Sequence, residues 1–157
     1  MGLDVTAYSK IKKLDSFEAD EYGEPFGVDY FQLWVNTDFQ DHGKGLSDGF
    51  YTYENEHGFK AGSYSGYGNW RNQLAILAGF KDSSHAWAKE EEKYPFHELI
   101  NFSDCEGVIN SDICKKLLSD FLQFEEKAKE DENFYYRYQQ WIIGLKLASD
   151  DGCFTFH

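Results

Sequence analysis

Residues 110–148, NSDICKKLLSDFLQFEEKAKEDENFYYRYQQWIIGLKLA, decide the class of fold. Ile113, Leu117, Phe121, Phe124 and Ala128 recur at spacings of four, four, three and four, which is one face of an α-helix. Asn110 or Ser111 stands where a side-chain oxygen can cap its first turn, and the helix is expected to run to about Lys129. Residues 130–133 interrupt the stripe. Phe134, Tyr138, Trp141, Leu145 and Ala148 then resume it at four, three, four and three. Two amphipathic helices in succession must bury their apolar faces, and the expected solution is an antiparallel pair laid on one face of a sheet.

The sheet is expected mainly from the first half. Leu3, Val5 and Ala7 alternate with Asp4, Thr6 and Tyr8, predicting a half-buried strand over 3–11. Residues 28–35, VDYFQLWV, are rich in aromatic and β-branched types and read as a second strand. Residues 50–54 and 59–64, separated by ENEHG, read as a hairpin with Gly58 free to take positive φ. Residues 15–27 and 41–49 read as loops. Asn69 can cap a helix to about Ala78, with Trp70, Leu74 and Leu77 on its face and Gly79 stopping it. A short acidic helix is expected over 83–92, a central strand over 96–102 (FHELINF), and an Asp-Gly turn into a terminal strand. The reading is a single α+β domain over 1–157: a mostly antiparallel sheet from the N-terminal half, covered on one face by C-terminal helices.

Composition narrows the function. Of 157 residues, 28 are acidic and 15 are Lys or Arg, a formal charge of −13. A protein that grips phosphates needs cations to displace counterions, so direct nucleic-acid binding is not expected. The surface suits a basic protein or nucleoprotein partner instead. Fourteen Phe, eleven Tyr and four Trp exceed what a core of this size needs, and the surplus supplies recognition groups. No run is apolar and long enough to span a bilayer, and residues 1–15 carry no signal-like apolar run. They do match the short M-G-x-x-x-T myristoylation pattern, which a strand start satisfies equally. Cys105, Cys114 and Cys153 are odd in number and lack C-x-x-C spacing, the usage of a reduced, cytoplasmic protein.

Two segments could carry chemistry. Residues 62–71, GSYSGYGNWR, precede the expected helix and could form a small-ligand pocket. Tyr64, Tyr67 and Trp70 would be its walls, with Ser65 and Asn69 as polar groups and Arg71 as an anion receptor. The spacing is neither G-x-G-x-x-G nor a P-loop. Residues 103–107, SDCEG, place Asp104 and Glu106 at a strand end near His97, a set that could hold a divalent cation for hydrolysis. The plainer reading is a turn in which Ser103 and Asp104 bond the backbone. Cys105 is a poor nucleophile, because acids on both sides oppose a thiolate. His42, His57, His85 and His157 show no ligand spacing, and no G-x-S-x-G elbow is present. No cofactor is implied.

Four stretches, G-L-D-V-T-A-Y at 2–8, G-S-Y-S-G-Y-x-x-W-R-x-x-L-A at 62–75, E-L-I-N-F-S-D-C-E-G-V-I at 98–109 and F-x-F-H at 154–157, resemble small uncharacterised proteins of phages and bacterial mobile elements. That resemblance implies provenance and no activity. Small acidic phage proteins are often inhibitors of host defence enzymes, including nucleic-acid-guided nucleases. The leading expectation is therefore a non-enzymatic, anti-CRISPR-like interaction protein that blocks a basic host partner. Asp20, Glu21, Glu90, Glu91, Glu92, Glu125, Glu126 and Glu130 would form its electrostatic surface. The alternative is a small-ligand protein or metal-dependent hydrolase built on 62–71 and 103–107.

Overall fold

A computed structural model describes residues 2–89 and 93–157. In chain order the strands and helices are β1 (Gly2–Tyr8), β2 (Lys12–Lys13), β3 (Phe31–Leu33), β4 (Gly49–Thr52), β5 (Glu56–Ser63), α1 (Tyr64–Leu77), α2 (Ser83–Trp87), α3 (His97–Ile100), β6 (Gly107–Asn110), α4 (Ser111–Gln123), α5 (Glu125–Ala128), α6 (Glu132–Ala148) and β7 (Cys153–Phe156). The fold is α+β, and every strand pair within its two sheets is antiparallel. The larger sheet runs β5-β1-β7-β6 and the smaller β2-β4-β3.

Strand alternation sends β1 and β7 into two cores. Leu3, Val5, Ala7, Phe154 and Phe156 join the main core, which holds Trp70, Tyr138 and Trp141. Tyr8 and Cys153 point the other way, into a second cluster with Phe31, Leu33, Tyr51 and Val108. Tyr8 stacks on Phe31 with ring centroids 3.8 Å apart and planes 5° from parallel. All four residues of β7 are consequently buried. Helix α6 contacts β1, β5 and β7, and α4 contacts α6.

Helix α6 starts where Asp131 accepts the Phe134 N–H, and α4 where Asn110, rather than Ser111, accepts the Ile113 N–H. The helix expected to reach Lys129 breaks at Phe124 (φ −100°, ψ 8°) into α4 and α5. The strand expected over 28–35 shrinks to Phe31–Leu33, and the loop expected from Asp41 begins inside a 3₁₀ segment, Thr37–Gly43.

Three expectations fail. The 50–54/59–64 hairpin does not form: β4 pairs with β2 and β3, while β5 pairs with β1. Tyr51 belongs to the second cluster and Ala61 to the main core, so the two strands serve different sheets. Ser9 holds the crossover, donating its N–H to the Asn55 carbonyl and accepting the Asn55 N–H on its hydroxyl. Residues 96–102 are not a central strand: they form the short α3 behind a left-handed Phe96 (φ 64°). The strand beside β7 is β6, immediately after the SDCE turn. Helix α1 begins five residues before Asn69 and is capped by Ser63, whose Oγ accepts the Gly66 N–H at 3.1 Å. Residues 64–71 are therefore helix, not a glycine-rich loop. The acidic helix expected over 83–92 is α2, capped by Asp82; Glu90, Glu91 and Glu92 lie outside the described residues.

Candidate functional site

Because α1 starts early, the residues of the expected ligand loop are distributed around a helix. Tyr64 is 55% exposed, while Tyr67 and Trp70 are buried at 0% and 1%. Ser65 and Asn69 lie on the exposed side. Burial pushes the Tyr67 phenol well above its usual range, so its hydroxyl stays protonated.

Arg71 joins the two predicted segments. Its Nη1 donates to the Phe102 carbonyl at 3.0 Å, and its Nη2 lies 3.7 Å from an Asp104 carboxylate oxygen. Its guanidinium carbon also sits 5.1 Å from the centre of the Tyr67 ring and 5.8 Å from that of Trp87. Trp87 Nε1 in turn donates to the Ile100 carbonyl. Arg71 thus fixes the 102–104 backbone to α1 through Nη1 and Nη2, while its Nε is buried without a hydrogen-bond partner among the described residues.

The 103–107 turn is internally bonded. Ser103 Oγ accepts the N–H groups of Cys105 and Glu106, each at 3.2 Å, and Asn36 Nδ2 donates to the Glu106 carbonyl at 3.0 Å. Gly107 (φ +137°) ends it where a Cβ would fall 2.7 Å from the Phe102 ring. His97 packs edge-on against Tyr94. Among the described residues no three His, Cys, Asp or Glu side chains gather as a metal requires. His97, Asp104 and Glu106 are therefore not a metal centre, and the metal-dependent hydrolase loses its ligand set.

The segments touch but line different clefts. Glu106 and Cys105 border a groove of about 410 Å³ with Trp34 and Asn36. Trp70 lines a separate cleft of about 630 Å³ with Trp141, and Asn69 a neighbouring one of about 480 Å³.

The acidic surface is concentrated where the sequence placed only part of it. Between Leu14 and Gly43 stand eight acids and no Lys or Arg. This excursion is folded. Asp20 Oδ1 accepts the N–H groups of Tyr22 and Glu24, Ala19 bridges Pro25, and the Tyr30 hydroxyl donates to Glu24 at 2.6 Å. Phe17 and Tyr30 meet Phe50 edge-on. It presents Tyr22, Phe26, Val28 and Trp34 at 80%, 68%, 46% and 57% exposure. Reading by acidity alone missed these side chains; the signal was a thirty-residue stretch combining aromatics with an absence of bases. Elsewhere Glu125 accepts the Tyr135 hydroxyl and Glu126 pairs with Lys129, while Glu130 is exposed. Compared with protein-family models, curated proteins and solved structures, the chain finds no match. No helix among the described residues is long and apolar enough to cross a membrane.

Proposed function

We propose that this protein is a non-catalytic interaction protein that docks on a basic protein surface through residues 15–34. The observation that carries the reading is the coincidence, in one hydrogen-bonded excursion, of uncompensated acids with four exposed apolar side chains. Aromatic anchors supply affinity at the centre of an interface, and surrounding charges steer and select the partner. Pre-bonding of the excursion lowers the ordering cost of docking. A nucleic-acid channel of a host defence nuclease has the required basic character, and blocking it matches the mobile-element resemblance. Asp20 acts chiefly by shaping the turn, so Glu18, Glu21 and Asp29 are the more direct electrostatic contacts.

The test is capture of basic nucleic-acid-binding proteins from bacterial lysate, followed by binding of the purified partner. Support requires competition by the partner's own nucleic acid and marked weakening when salt rises from about 0.05 to 0.3 M. It also requires loss of at least about tenfold affinity in Tyr22→Ser/Phe26→Ser. A partner whose binding ignores both salt and these substitutions would overturn the reading.

A further inference from the structure

Strand β5 leaves one side of the larger sheet unpaired. It stands at one end of the order β5-β1-β7-β6, whereas β6, at the other end, lies against the 3₁₀ segment Thr37–Gly43. Backbone parity decides which groups of β5 are free. Asp4 and His157 each donate an N–H to the other's carbonyl, so Asp4 turns its backbone toward β7. Successive residues alternate, and Val5 and Ala7 therefore bond their β5 partners, Phe59 and His57. The N–H and C=O groups of Glu56, Gly58 and Lys60 consequently point away from β1, along the open edge. All three residues are exposed.

Their side-chain positions share the outer face of the sheet. Lys60 is registered with Asp4, Gly58 with Thr6 and Glu56 with Tyr8. Phe59 and His57 face α6 instead, where Phe59 meets Trp141 edge-on and His57 bonds Gln140. The order Glu56, Gly58, Lys60 is self-complementary. Turned antiparallel about a two-fold axis at Gly58, a second β5 sets Gly58 opposite Gly58 and each Glu56 opposite a Lys60. These are the residues whose backbone groups are free, so one register satisfies both hydrogen-bonding parity and charge. Moving the axis to Glu56 or to Lys60 would set like charges opposite each other. Among the described residues no ion pair engages Glu56 or Lys60. No proline blunts the strand, and the bulge of the β1–β5 pair falls at Leu3/Asp4, beyond the self-complementary segment.

We propose that β5 is a dimer edge, at which two copies of this chain join antiparallel through residues 56–60 and make their larger sheets continuous. The contact is isologous and closes on itself, so it yields a dimer and not a fibre. Each Lys60 then lies between Asp4 of its own β1 and Glu56 of the other copy. The cleft of about 630 Å³ between α6 and Phe59–Ala61 leaves room above the incoming strand. The formal charge of −13 on each copy opposes association, although charges beyond about 8 Å are largely screened at physiological ionic strength. A short edge working against that repulsion gives a weak dimer, with a dissociation constant of about 10–500 µM. The contact uses none of residues 15–34, so its failure would leave the docking reading untouched.

The experiment is sedimentation equilibrium of the full chain up to about 2 mM, a range that covers the affinity of so short an edge, with amide hydrogen exchange measured at low and high concentration. The parent should pass from monomer to dimer, and the amides of Glu56, Gly58 and Lys60 should exchange more slowly in the dimer. Glu56→Lys and Lys60→Glu should each weaken dimerisation about tenfold, because each sets like charges opposite one another twice. The double exchange Glu56→Lys/Lys60→Glu should restore the parent affinity to within about threefold. A chain that stays monomeric throughout, leaving the edge to some other extended chain, would overturn the proposal. So would a dimer that leaves exchange at residues 56, 58 and 60 unchanged, or single reversals that the double exchange does not rescue.

Discussion

Asp120 holds Phe96: its Oδ2 accepts the Phe96 N–H at 3.0 Å from across the core, and Lys116 Nζ approaches the same oxygen at 2.7 Å. Phe96 is left-handed, a conformation that costs a bulky residue about 1 kcal/mol or more. The bond occurs at the point where the chain turns into α3 instead of extending as a strand. Asp120→Ala leaves the Phe96 N–H buried and unpaired, and should cost about 2–3 kcal/mol in urea unfolding. Asp120→Asn keeps an acceptor and should cost about 1 kcal/mol. Equal losses in the two variants would show that the ion pair, not the backbone bond, matters.

The same substitution should act with opposite sign at two helical glycines. A Cβ at Gly144 would lie 2.6 Å from Phe154 Cε2 and 3.4 Å from Ala7 Cβ, whereas one at Gly68 meets nothing within 4 Å. Gly144→Ala should destabilise by about 1–3 kcal/mol through overpacking. Gly68→Ala should stabilise by about 0.5–1 kcal/mol by removing unfolded-state freedom. Thermal denaturation of both variants reads the signs directly.

Thiol chemistry should separate the three cysteines. Cys105 is exposed, and Cys114 and Cys153 are buried. Burial pushes both interior thiols well above their usual range, which starves them of thiolate. A disulfide reagent should titrate one thiol in the native protein and three in denaturant. Rapid reaction of a second thiol under native conditions would mean that α4 or β7 opens locally.

His42 ties stability to pH. Its Nε2 donates to the Glu98 carbonyl at 2.8 Å and its ring stacks on Phe102, and burial lowers its pKa from the usual 6.5. Between that depressed value and about 6.5 the unfolded chain binds more protons than the native one, so stability rises with pH there. Unfolding free energy should fall as pH drops from about 7 to about 5. His42→Gln should show a shallower fall over the same window, and an unchanged slope would remove His42 as the cause.

What could be read in advance follows from where the physics is local. The stripes of α4 and α6 and the alternation of β1 repeat over several turns or pairs, so their phase is visible in the residues themselves. FHELINF is a single apolar run with no phase, and its conformation depends on Asp120, 24 positions from Phe96. The 50–64 segment has genuine strand character, but partner choice depends on which core receives Tyr51 and which receives Ala61. Asn69 is a good capping residue that loses to Ser63 because Gly66 and Gly68 can still be helical. Both chemical segments were visible as composition, yet nothing local indicates that Arg71 spans them.

The sheet order β5-β1-β7-β6 has a consequence in time. The Thr155 hydroxyl bonds the Thr6 carbonyl across a sequence separation of 149. During synthesis at about 5–20 residues per second, β1 waits roughly ten seconds or more for the neighbour that completes its pairing. Throughout that interval the edge of β1 that β7 will cover is open to any other extended chain. This protein should therefore be most vulnerable to aggregation as a nascent chain, and a ribosome-proximal chaperone should raise its soluble yield more than any substitution that stabilises the finished fold.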